Sequence, residues 1–136
     1  MPLRRKGAEM EPCKVLLVDD EEEFVSTLAE RLRLRDIVAE VALNGEQALK
    51  AVEERPPHVV VLDVLLPGMG GLEVLRRIRD SHPQVQVILL TGRGSDEEAR
   101  KGMALGAVDY LVKPVHLEEL IAKIRKASPC QARETL

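Results

Sequence analysis

The chain has 136 residues, a formal net charge of −3, 45% hydrophobic and 32% charged residues, enough for one domain with a full apolar core and no need of a structural metal or disulfide. So small an acidic balance gives no whole-domain attraction to nucleic acid or to an anionic membrane. No apolar run approaches the roughly 18 residues of a membrane span, and the basic start passes to Glu9-Met10-Glu11 without a signal-peptide core; a cytoplasmic protein with no direct nucleic-acid or membrane partner is expected.

Residues 1–12 mix charges with Pro and Gly and lack apolar periodicity, so they read as a flexible extension. The domain is expected over 13–128, with 129–136 as a C-terminal tail. Cys13 and Cys130 match no zinc or redox spacing and read as thiols rather than a disulfide.

The first strand is Val15-Leu16-Leu17-Val18, a continuous apolar run that stops at Asp19-Asp20-Glu21-Glu22-Glu23. Phe24, Val25, Leu28 and Leu32 then recur at helical spacing, with Arg31, Arg33 and Arg35 at the helix end, where the macrodipole favours cations. Ile37–Ala42 is a weaker strand carrying a charge, as suits a sheet edge. Asn44 caps a second helix on Ala48, Leu49 and Val52, which Arg55-Pro56-Pro57 terminates.

Val59-Val60-Val61-Leu62-Asp63 reads as a strand buried on both faces that delivers one carboxylate to the rim, ahead of the Pro67-Gly68 turn. Leu72, Val74, Leu75 and Ile78 mark a third helix, broken at Ser81-His82-Pro83. Val85–Leu90 is a fourth strand ending at Thr91. Ser95 with Glu98 three residues on forms the pattern of a capping box for a fourth helix, which stops near Gly106. Val108–Val112 leads to Lys113-Pro114, and Leu117, Leu120, Ile121 and Ile124 define the fifth helix.

Strand and helix thus alternate five times, with strands that look too apolar for exposure on either face. The expected fold class is α/β: a doubly wound (βα)5, flavodoxin-like fold whose parallel five-stranded sheet runs in order 2-1-3-4-5 with helices on both faces. Ligands bind such sheets beyond the carboxyl ends of the strands. Those ends carry Asp19 and Asp20, Asp63, Thr91 and Lys113.

Close carboxylates repel one another unless they share a cation, and hard oxygen ligands with room for water suit Mg²⁺. Lys113 supplies a point charge and the Thr91 hydroxyl a hydrogen bond to a phosphoryl group, leaving Asp63 to act as nucleophile.

Asp19-Asp20, Leu62-Asp63 with Pro67-Gly68-Met69, Thr91-Gly92 and Tyr110-Leu111-Val112-Lys113-Pro114, in this order, resemble the receiver domain of bacterial response regulators, the CheY-like family, from about Lys14 to Ala127. The resemblance implies that Asp63 is the phosphoacceptor for a sensor histidine kinase or phosphotransfer protein, or for a small phosphodonor such as acetyl phosphate. It implies a metal site of Asp19, Asp20, Asp63 and the Leu65 backbone carbonyl, with Asp20 as a direct ligand and Asp19 acting largely through water. It also implies a cis peptide before Pro114 and a switch made of Thr91 and Tyr110.

On this reading the output is a changed face of helix four, strand five and helix five, offered to a downstream partner or output domain. The protein then dephosphorylates itself rather than turning over an external substrate. Homodimerisation on that face through Arg100, Lys101 and Asp109 is weighed against mere solubilisation by those charges. Leu65 and Arg93, two residues beyond Asp63 and Thr91, flank the path of the attacking water in this family, which implies a comparatively long-lived phosphoryl group here.

Other classes fit less well. A magnesium-dependent aspartyl-phosphate phosphatase or mutase of the haloacid dehalogenase type places its nucleophile after strand one, two residues before a second aspartate. A flavin carrier needs a Ser/Thr/Gly-rich phosphate loop there. A receiver-like binding module that is never phosphorylated has no need of the complete residue set.

Overall fold

The computed structural model describes residues 12–128. The expectations for residues 1–11, for 129–136 and for Cys130 fall outside the described residues. The elements are β1 (Cys13–Val18), α1 (Glu22–Arg33), β2 (Ile37–Ala42), α2 (Gly45–Glu54), β3 (Val59–Asp63), α3 (Gly71–Ser81), β4 (Gln86–Thr91), α4 (Asp96–Ala104), β5 (Asp109–Val112) and α5 (Leu117–Ala127). The strands form one parallel sheet in the order β2-β1-β3-β4-β5, as the sequence predicts.

Alternation along each strand divides the core into two layers. Val15, Leu17, Val59, Val61, Ile88 and Leu90 pack with α1 and α5. Leu16, Val18, Val60, Leu62, Val87 and Leu89 face α2 and α3. All five residues of β3, Asp63 included, are buried, which explains its unbroken apolar run: no position on this strand faces water.

β2 lies at the edge that its charge suggested, whereas β5 departs from the expectation of a strand buried on both faces. In β2, Val38 and Glu40 are exposed; in β5, Tyr110 and Val112 are exposed. Each of these strands has a neighbour on one side only, so its outward residues lack the cover that β3 receives. The capping box at α4 is likewise not formed: Ser95 stands at the N-cap, but its side chain makes no capping bond. Its ψ of 35° lies outside the extended region usual for a capping serine. At α2, by contrast, Asn44 Oδ1 accepts from the Gln47 N–H at 2.8 Å, as predicted.

Candidate functional site

Asp19, Asp63, Thr91 and Lys113 each stand at or just beyond the last residue of a strand, and ladder bonds carry past the ends of β1, β3 and β5. The Asp19 N–H donates to Ala42 O at 3.1 Å, the Val64 N–H to Leu90 O at 3.0 Å and the Lys113 N–H to Thr91 O at 2.7 Å. β1 and β3 are the adjacent strands at which the winding reverses, and Asp19, Asp20 and Asp63 meet there.

The three aspartates each offer a carboxylate oxygen, and these atoms all lie within 4.8 Å of one another. Asp19 and Asp63 are buried, at 1% and 6% exposure, while Asp20 is exposed. The donor set is all carboxylate oxygen, the chemistry that suits a hard divalent cation, and this cluster could hold a metal ion.

Lys113 supplies the counter-charge. Its Nζ donates to Asp19 Oδ2 at 2.9 Å, to Asp63 Oδ2 at 3.3 Å and to Glu21 Oε1 at 3.3 Å, and it lies 5.1 Å from the centroid of the Phe24 ring. Burial works against the ammonium, yet the hydrogen bond to Asp19 and the charges of Asp63 and Asp19 outweigh it, so its pKa is raised above the ordinary lysine value. For Asp63, burial pushes the carboxyl up. The Leu65 N–H, donating to Oδ1 at 3.0 Å, opposes that rise, the nearby Asp19 charge adds to it, Lys113 opposes it, and the net direction is upward.

Thr91 is buried at the end of β4, and its hydroxyl donates to the Leu111 carbonyl at a long 3.4 Å. Tyr110 is not drawn into the carboxylate cluster; it is 41% exposed and lines a shallow groove with Ala99 and Met103 of α4. The Leu65 side chain projects into solvent at 64% exposure, and Arg93 is exposed. The Lys113–Pro114 peptide is cis. Asp109, weighed as a dimer contact, is paired within the chain to Lys123 at 2.8 Å.

Two contributors escape a reading of spacing. Glu21 looks like one of three equivalent acids after Asp20, yet it alone of them pairs with Lys113 among the described ion pairs. Gly71 looks like a loop glycine, but a Cβ there would stand 2.7 Å from Val64 Cα and closer still to the Asp63 carbonyl oxygen. The N-terminus of α3 therefore lies directly on the backbone that carries the candidate nucleophile, and only the pair of glycines at 70 and 71 hints at it.

Residues 15–125 match the family described as response regulator receiver domain. The chain is 43% identical over 118 residues to the transcriptional regulatory protein YkoG of Bacillus subtilis, covering 87% of this chain and 52% of that one. It is 43% identical over 112 residues to the transcriptional regulatory protein CpxR of Klebsiella pneumoniae, covering 82% and 47%. The chain thus spans about half the length of the curated relatives it matches.

Among solved structures, the receiver domain of NtrX from Brucella abortus superposes with a TM-score of 0.79 at 32% identity, covering 83% of this chain and 96% of that one. A CheY-like receiver domain protein from Methanospirillum hungatei gives 0.83 at 26% identity, covering 92% and 98%. Among the described residues no helix is long and apolar enough to cross a membrane.

Proposed function

The chain belongs to the response regulator receiver domain family of two-component systems, and from that premise we propose that Asp63 accepts a phosphoryl group from the phosphohistidine of a sensor histidine kinase or phosphotransfer protein, or from a small phosphodonor such as acetyl phosphate. The observation that carries the reading is the single ammonium of Lys113 bonded to both Asp19 and Asp63, within a carboxylate cluster at the sheet's reversal point.

The Asp63 carboxylate attacks phosphorus in line. An Asp63 oxygen–phosphorus bond forms as the donor's nitrogen–phosphorus bond breaks, and that bond's electron pair leaves with the imidazole, which departs neutral once its other ring nitrogen is protonated. The Leu65 N–H holds Oδ1 and so fixes the plane of the carboxylate. Lys113 stabilises charge on the phosphoryl oxygens as a mobile point charge, and the Thr91 hydroxyl exchanges the long bond to Leu111 for a phosphoryl oxygen. Asp19, Asp20, Asp63 and the Leu65 carbonyl would hold Mg²⁺, which when bound supplies further positive charge to the phosphoryl oxygens.

Movement of Thr91 toward the phosphoryl group opens space behind it for the half-exposed Tyr110. The altered face of α4, β5 and α5 then meets a downstream partner or an output domain, and it is the surface on which a homodimer would form. The domain so read spans 13–128, self-dephosphorylates and works in the cytoplasm. Intact-mass measurement after incubation with acetyl phosphate and Mg²⁺ tests the proposal. One added phosphoryl group, absent in Asp63→Asn and in EDTA, is expected; an unmodified wild-type protein, or modification that persists in Asp63→Asn, overturns it.

A further inference from the structure

We propose that Glu21 is a positioning residue that competes with Asp63 for the Lys113 ammonium, so that writing the phosphoryl group requires Lys113 to release it. The inference rests on Asp63 being the phosphoacceptor and adds a tuning residue to that site.

Three carboxylates share one ammonium: Asp19 at 2.9 Å, Glu21 at 3.3 Å and Asp63 at 3.3 Å. They differ in their freedom to let go. Asp19 is 1% exposed and its other oxygen, Oδ1, accepts from the Glu21 N–H at 2.9 Å, so it is fixed from both sides. Asp63 is the reacting group. The Glu21 side chain is 66% exposed, stands at the N-cap of α1 without making a capping bond, and on release finds water immediately.

The Phe24 ring, in the first turn of α1 three residues after Glu21, faces the same ammonium at 5.1 Å, an attraction expected of an aromatic face. Lys113 is thus drawn toward the α1 side while Asp63 bears only a carboxylate. A phosphoryl group on Asp63 brings more charge and more acceptor oxygens than Glu21 offers, and the ammonium turns to it. Glu21 therefore stabilises only the unphosphorylated state, and removing its charge favours the phosphorylated one. Because the pair is exposed, the effect is modest, about two- to fivefold in affinity for a phosphoryl group.

Glu22 and Glu23 are exposed acids on the same turn that make no ion pair with Lys113 among the described residues. Glu22→Gln changes net charge equally and isolates the contact from the general field. The test is a beryllofluoride titration at saturating Mg²⁺ of wild type, Glu21→Gln and Glu22→Gln, followed by NMR. Expected for Glu21→Gln is two- to fivefold tighter binding, together with Lys113 side-chain resonances already shifted before beryllofluoride is added; Glu22→Gln should match wild type in both. Equal tightening in the two variants, or unchanged binding and resonances in Glu21→Gln, overturns the role of Glu21 and leaves the phosphoacceptor reading standing. No binding by wild type overturns that reading and the inference with it.

Discussion

Lys113 Nζ lies 2.9 Å from Asp19 Oδ2, nearer than the 3.3 Å that separates it from Asp63 Oδ2. Asp19 is 1% exposed, so the lysine compensates a buried carboxylate in the resting protein as well as serving the candidate nucleophile.

Lys113→Ala should therefore weaken the fold before it affects any chemistry. Two buried carboxylates lose their counter-charge, a change expected to cost about 3 kcal/mol at neutral pH. Urea denaturation in EDTA measures it, and millimolar Mg²⁺ should restore much of the loss by replacing the missing cation. A variant as stable as wild type in EDTA, or indifferent to Mg²⁺, would contradict the shared-charge account.

Asp63→Asn should act in the opposite direction. Burial raises the Asp63 pKa, against the Leu65 N–H, with help from the Asp19 charge and against Lys113. A carboxyl raised in the folded state binds its proton more tightly there, so the stability it contributes is complete below the unfolded pKa and is lost as pH rises through the folded one. The amide escapes that loss. In EDTA at neutral pH the variant should be more stable than wild type, with the gap closing at pH values below the ordinary carboxylate range. A gap that persists in acid would trace the gain to something other than charge.

Gly71→Ala tests the seat of α3 on β3. The added methyl would meet the Asp63 carbonyl and stand 2.7 Å from Val64 Cα, and backbone on a fully buried strand end cannot give way as a side-chain tip can. A loss of about 2–3 kcal/mol is expected, together with slower phosphorylation by acetyl phosphate as the Asp63 carboxylate is displaced. Wild-type stability and rate together would mean that the helix shifts freely.

Leu65→Asn addresses how long the signal lasts. The Leu65 side chain is 64% exposed beside the cluster while its N–H is tied to Asp63, and an apolar side chain there cannot orient an attacking water. Asparagine can; one added hydrogen bond of about 1 kcal/mol corresponds to roughly fivefold faster loss of the phosphoryl group. Phosphoprotein decay after removal of the donor gives the rate, and an unchanged rate would show that water is positioned elsewhere.

Much of this protein is legible in its sequence because burial repeats locally. Continuous apolar runs mark the strands and a period of about 3.6 marks the helices, which gives the ten elements; the charged β2 and the unbroken apolar β3 make 2-1-3-4-5 the expected order, and the ladder itself is seen only in the folded sheet. The strand ends then name Asp19, Asp20, Asp63, Thr91 and Lys113 without reference to any contact. The failures are equally physical. Ser95 has the right neighbour for a capping box but the wrong backbone angle, and the outward residues of β5 are exposed because no strand lies beyond them.

Tertiary structure alone decides how charge is divided at the site. Periodicity reports whether a position faces the core; it says nothing of which of several acids a given ammonium meets. Lys113 bonds to residues 94, 92 and 50 positions away, and Glu21 is told apart from Glu22 and Glu23 only because the N-cap position of α1 stands within reach of Lys113 just past β5. The sequence determined the set of groups at the rim, since each strand must end somewhere and these residues are what stand there. Folding determined their partition, because a distance between strand ends is a property of the sheet and not of any stretch of chain.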